Sequence, residues 1–448
     1  MTRTEEFAAS LEQLATADWD DAACQRLFDT LAAAAIGLHT DEGQVVRKLL
    51  ASRCASPRDA AGEGLLMLLS VAIRSTEIDD INIDSCTTVG SVVIPAVLAA
   101  ATTSRDVTAR DLIDGIVAGY EAMVRFGEAI DGARILYKGI WPTYVTAPLS
   151  AAAATSTVWK LGRQKTAHAL SLSLARSSVM ATAASQGISP RSWLLGRACC
   201  EGYAAARAAA AGIAGNGDEF ATFSSRHGIP LAHETLLKLE RRRLPAILSM
   251  DTKPYPTARQ GLSAIEAFRS LLPLPFTPDE ISSVRVRVPA QLRDMIARPP
   301  HGRIGSMVSV AYQMALALFE PEKLNDTLRT TLPADDRISR FMDKIAIEAD
   351  PKLTALYPET WGAQVTVRST SADEISSGIL HPDGSAHCPL GWEGLMDKYV
   401  TLIGAGKVGN AALVPSLAHI CQDLPSRDRI DVQSEIIGRL RAVADLGS

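Results

Sequence analysis

Apolar residues recur at helical spacing from Trp19 to Leu38 and stop near Gly37, which predicts an amphipathic helix. Ser56-Pro57 offers an N-cap and a first-turn proline for a helix running to about Arg74. Val92 to Ala101 carries no charge, so its helix is buried on every side. Thr108 caps the next helix, with Asp111 placed for a capping-box contact, and this helix includes Gly119 to Asp131. Ile140 to Ala154 reads as a loop, Trp141-Pro142-Thr143, feeding a helix of very small residues. Gln164 to Met180 predicts a further helix, after a turn closed by Gly162. The loop Ser189 to Trp193 then leads into a small-residue helix ending near Gly215. Up to about Leu244 the chain reads as helical hairpins.

The pattern then changes. Lys253-Pro254-Tyr255-Pro256 is a rigid break, and Thr257 to Leu272 is one more helix. Val284 to Val288 alternates strictly and predicts a half-buried strand. Ser306 to Phe319 returns to helix, and Ala363–Arg368 with Glu374–Leu380 predicts a hairpin across 369–373. Helix resumes over Gly391–Leu402 and Asp431–Leu446. The expected fold is mainly α. A large helical domain spans 1–272 and 393–448, and an inserted α+β domain, 273–392, is placed as a lid.

Composition narrows the function classes. The 448 residues are 47% hydrophobic but only 5% aromatic, so alanine and leucine must fill the core, which favours closely packed helices. The net charge of −5 supplies no basic footprint for nucleic acid. Ser85–Ser104 and Gly139–Trp159 are long enough to span a membrane, but prolines interrupt both and serine and threonine enrich them, so buried helices are expected and no membrane partner. Met1 to Asp18 has three glutamates and no apolar signal region, so a cytoplasmic protein is expected. The seven cysteines form no CxxC and the eight histidines form no HxxxH or HExxH; the protein reads as metal-free.

Between the second helix and the uncharged one lie four acids in eight residues: Glu77, Asp79, Asp80 and Asp84. Acids at the mouth of an apolar core are where carboxylate chemistry can be done. This stretch also resembles the MmgE/PrpD family, whose segment reads Asp-Phe-Asp-Asp-Thr, a spacer, Gly-His-Pro-Ser and an apolar helix. The likeness continues in order through Gly119-Tyr120-Glu121 with Arg125, Gly139 to Thr143, Arg191 before Gly196, and Lys253 to Pro256. It runs on through Ser309 to Tyr312, Asp350-Pro351, Tyr357-Pro358, Asp383-Gly384, Cys388-Pro389-Leu390 and Lys398-Tyr399. The resemblance implies a helical domain with an α+β lid, a homodimer, and cofactor-independent chemistry on carboxylate substrates.

Several positions depart from that pattern. Glu77 stands for the leading aspartate and Ile81 for the threonine, while Thr87-Thr88-Val89-Gly90 replaces Gly-His-Pro-Ser. Trp141 replaces the second histidine, Arg191 a lysine, and a later cysteine and histidine fall on Ala258 and near Leu262. Asp79, Asp80 and Tyr312 stay.

Elimination beside a carboxylate needs a base, a proton donor for the leaving oxygen, and cations for the substrate's charges. Glu77, Asp79 and Asp80 are the candidate bases, one of them raised in pKa by its crowded like charges. Tyr312 is the candidate donor or anchor. Arg191 is the carboxylate clamp, and Trp141, Thr88 and Lys253 are the further substrate contacts. The expected activity is a lyase of dehydratase type, with no cofactor, on a small carboxylate-bearing or related metabolite of the kind a specialised biosynthetic pathway handles. An isomerase, epimerase or cyclase using the same proton abstraction is the alternative within enzymes. A ligand-binding homodimer that has lost catalysis is the alternative outside them.

Overall fold

The computed structural model describes residues 2–14, 17–51, 60–104, 106–178, 190–237, 245–329 and 336–444. They divide into two units: Met1–Met250 with Gly391–Val400 and Val408–Ser448, and Asp251–Leu390 with Thr401–Lys407. The fold is mainly α, with one small four-stranded sheet among the described residues.

The first unit is built on helices α1 (Asp20–Gly37), α2 (Leu65–Ser75), α3 (Gly90–Thr102), α4 (Ala109–Ala129), α5 (Pro142–Val158) and α6 (Pro190–Ala210), joined by the N-terminal part of α7 (Gly391–Gly406). Helix α5 is the hub, packed by α3, α4 and α6. Its run of alanine, serine and threonine lets neighbouring backbones come close. A Cβ on Gly202 of α6 would stand 2.1 Å from the Pro148 carbonyl, so only glycine fits that crossing. Ser150 at the same level donates to the Gly119 carbonyl of α4 at 2.9 Å.

Helix α3 has poor intrinsic credentials. Pro95 interrupts it, and Val92, Val93, Ile94 and Val97 are β-branched. Packing holds it instead: these four and Leu98 are wholly inaccessible, and each fully buried aliphatic contributes about 1.5–3 kcal/mol. Thr108 and Asp111 form the reciprocal capping box expected at the start of α4.

The sheet of the second unit has the order β2-β1-β3-β4, with β1 Ile281–Val288, β2 Ile345–Ala349, β3 Ala363–Ser369 and β4 Glu374–Ile379. The alternation in β1 buries Val284, Val286 and Val288, and β3 brings Val367 and Val365 opposite the first two. Helix Arg259–Arg269 packs on β3 and β4 and buries Leu262, Ile265 and Phe268. This helix therefore clusters with the sheet, and the second unit begins at Asp251 where the sequence suggested 273.

Other differences are local. Pro190 to Trp193 is no loop: proline at the first helical position starts α6 there. Ser306–Phe319 is two helices, Gly302–Val308 and Val310–Phe319. Ser309 adopts an extended conformation between them and caps the second with its hydroxyl. Strand β2 escaped the sequence reading because its five residues alternate weakly; it pairs parallel to β1. The helix after Gly162 ends at Arg176. Ser56-Pro57 lies outside the described residues.

Candidate active site

The loop between α2 and α3 is folded on itself. Asn82 and Thr87 form a two-way backbone bridge (2.9 and 3.2 Å), and the Asn82 side chain accepts from the Ser85 amide at 2.8 Å. Glu77 and Cys86 take left-handed backbone conformations (φ 56° and 53°) at the two bends. The loop is core rather than rim. Glu77, Asp79 and Asp80 are 4%, 2% and 2% exposed, and of the four acids Asp84 alone reaches solvent.

Carboxylates buried this deeply require cations. Arg74, the last basic residue of α2, supplies one: its Nη1 lies 3.1 and 3.3 Å from the two Asp79 oxygens and 3.2 Å from Glu77 Oε2. Burial pulls the Arg74 pKa down, but Asp79 and Glu77 outweigh it and the net shift is upward. Arg191, in the first turn of α6, supplies the second cation, with Nη2 3.1 Å from Glu77 Oε1. Glu77 thus bridges two buried guanidiniums. The carboxylate that Arg191 holds in the structure is the chain's own.

The N-terminal turn of α5 packs around this cluster. The Trp141 ring lies beneath the Arg191 guanidinium, 4.5 Å from its centroid, and Tyr144 meets Trp141 edge-on at 6.0 Å. Thr143 Oγ1 accepts from the Thr88 amide at 3.1 Å, with the Thr88 hydroxyl 3.4 Å away, tying the acid loop to the same turn. One face of Trp141 is therefore occupied by Arg191.

Asp80 has a different environment. Oδ1 accepts from the Gly90 amide at the start of α3, and Oδ2 from the Tyr120 hydroxyl, both at 2.7 Å. Burial pushes its carboxyl up to about 6, against the opposing pull of Arg26 and these two bonds. Desolvation, not crowding by the other loop acids, is the main cause. Tyr120 in turn is held well above the usual phenol range by its own burial and by Asp80. Close by in the fold, Lys398 Nζ pairs with Asp29 Oδ1 at 2.7 Å, and the Tyr399 hydroxyl donates to the Asp29 carbonyl at 2.5 Å. With both oxygens engaged at the base of α3, Asp80 is positioned as a fastening rather than as a base.

Tyr312 and Lys253, the remaining predicted site residues, belong to the second unit. Both are buried there. Burial raises the Tyr312 phenol, with Arg329 opposing, and lowers Arg329 itself to about 10. Arg329 is committed to backbone carbonyls at Leu324, Asp326 and Pro256. A shallow cleft of about 430 Å³ in the first unit, lined by Ala101, Val107, Arg429 and Asp431, lies at the opposite end of α3 from the acids and brings no comparable cluster together.

Sequence reasoning missed Arg74, Tyr120, Tyr144 and Asp29. Arg74 and Asp29 carried a usable signal, each a single charge in an otherwise apolar stretch of helix. No helix among the described residues is long and apolar enough to cross a membrane. No curated protein matches the sequence. The MmgE/PrpD N-terminal domain matches residues 5–225 and the MmgE/PrpD C-terminal domain matches residues 255–411, in that order along one chain, and the chain belongs to the MmgE/PrpD family.

Proposed function

We propose that the protein is a cofactor-independent lyase that removes a proton from carbon beside a carboxylate and eliminates water or a similar leaving group. Family membership supports dehydratase- or lyase-type activity at the coarse level. The observation that carries the finer reading is the Arg74–Glu77–Arg191 cluster, a buried carboxylate shared by two guanidiniums. A substrate carboxylate arriving at Arg191 competes with Glu77 Oε1 for the same N–H groups. Displacement leaves that oxygen beside the substrate's α-carbon side, basic and desolvated. Glu77 then takes the proton, the C–H electron pair forms the new double bond, and the leaving hydroxyl departs with the C–O electron pair and takes back the proton Glu77 has gained, so that water leaves and the carboxylate is restored. Arg191 and Arg74 offset the negative charge that develops on the substrate carboxylate.

The same first step, with the proton returned to carbon, gives an isomerase. Proton NMR in deuterated water separates the two. Incubating L-malate, citrate and their methyl-substituted analogues with the protein should give an alkene product for the lyase, or deuterium in unchanged or epimerised acid for the isomerase. Glu77→Gln should abolish either signal. Turnover unaffected by Glu77→Gln and by Asp79→Asn would end the proposal.

A further inference from the structure

Tyr144 occupies the third position of α5, edge-on to the Trp141 ring that carries Arg191. Its side chain is 3% exposed, and among the described residues its hydroxyl has no hydrogen-bond partner. A buried phenol is normally satisfied, because an unmet donor carries the full desolvation cost of the group. The other phenols near the acid loop follow that rule: Tyr120 donates to Asp80 and Tyr399 to Asp29. An orphan donor therefore sits against the Trp141 ring on which Arg191, a cation that holds a carboxylate, is stacked.

We propose that Tyr144 is a substrate-contacting residue whose hydroxyl donates to a carboxylate oxygen of the ligand, the second oxygen of which pairs with Arg191. This rests on the reading of the cluster as a carboxylate site, and it adds a neutral, directional donor where the charges alone set no orientation. Such a donor selects for a planar acceptor in one pose.

The test uses the full-length protein and Tyr144→Phe, which keeps the ring and removes the hydroxyl. Calorimetric titration with succinate, L-malate and citrate should show at least one of them binding the wild type, and binding it at least about tenfold more weakly in Tyr144→Phe, the loss expected for one bond to a charged acceptor. The melting temperature of the ligand-free variant should hold or rise, since the unmet donor is removed. A clear rise in melting temperature with unchanged affinity would show an orphan sealed in packing, and a fall of several degrees would show a bond inside the protein; either overturns the proposal. So does a wild type that binds none of the three acids. If binding depends on Tyr144 but no substrate exchanges deuterium, the proton-abstraction reading fails while this assignment stands.

Discussion

Arg74 is the residue on which the candidate site depends most heavily for its stability, and Arg74→Met isolates that dependence. The change keeps the aliphatic bulk against the loop and removes the charge. One nitrogen, Nη1, serves both carboxylates, at 3.1 and 3.3 Å to Asp79 and 3.2 Å to Glu77. At an effective dielectric near 20, a pair at that separation is worth about 5 kcal/mol of attraction before desolvation is subtracted. Measured losses on breaking a buried pair from one side are about 3–5 kcal/mol. Glu77 keeps Arg191, so the lower half of that range is expected, a fall in melting temperature on the order of 5–6 °C for a unit of this size. The diagnostic arm is Arg74→Met/Asp79→Asn, in which the carboxylate deprived of Arg74 becomes an amide while Glu77 keeps Arg191. Neutralising the buried charge should recover at least half of the loss, since the cost arises from stranded charge rather than lost packing. Thermal and urea denaturation at pH 7.5 reads both variants. If Arg74→Met stays within about 1 kcal/mol of wild type, or the double variant is less stable than the single, charge compensation in the loop is refuted.

Two further outcomes follow from the neighbouring contacts. Asp80, raised from 3.8 to about 6, binds its proton about 3 kcal/mol more tightly in the folded chain; that stability is complete below about pH 4 and is lost as pH rises through 6. Asp80→Asn should therefore flatten the dependence of stability on pH between 4 and 7, and an unchanged slope in urea denaturation across that range would count against the assignment. Gly90→Ala would place a Cβ 2.5 Å from Thr30 Oγ1 and 3.0 Å from Asp80 Oδ1, and should cost about 1–3 kcal/mol by displacing the carboxyl from the α3 amide; equal or greater stability than wild type would show that the contact yields freely.

The chain's own pattern was enough to place most of its elements and its family. Helical periodicity, the uncharged run of α3 and the alternation of β1 and β3 are local signals, set by how a backbone of fixed period presents side chains to one side. The acid loop was also visible, because four carboxylates against an apolar helix are conspicuous in composition. Its state was not. The sequence suggested acids at the mouth of a core, and three of them lie inside it. What the tertiary structure decided is pairing. Arg191 reaches Glu77 across 114 residues, Tyr120 reaches Asp80 across 40, and Lys398 reaches Asp29 across 369. No local period encodes such distances. They are settled when buried charges and phenols, having lost water, must find partners among whatever the packing of α1 to α7 brings near.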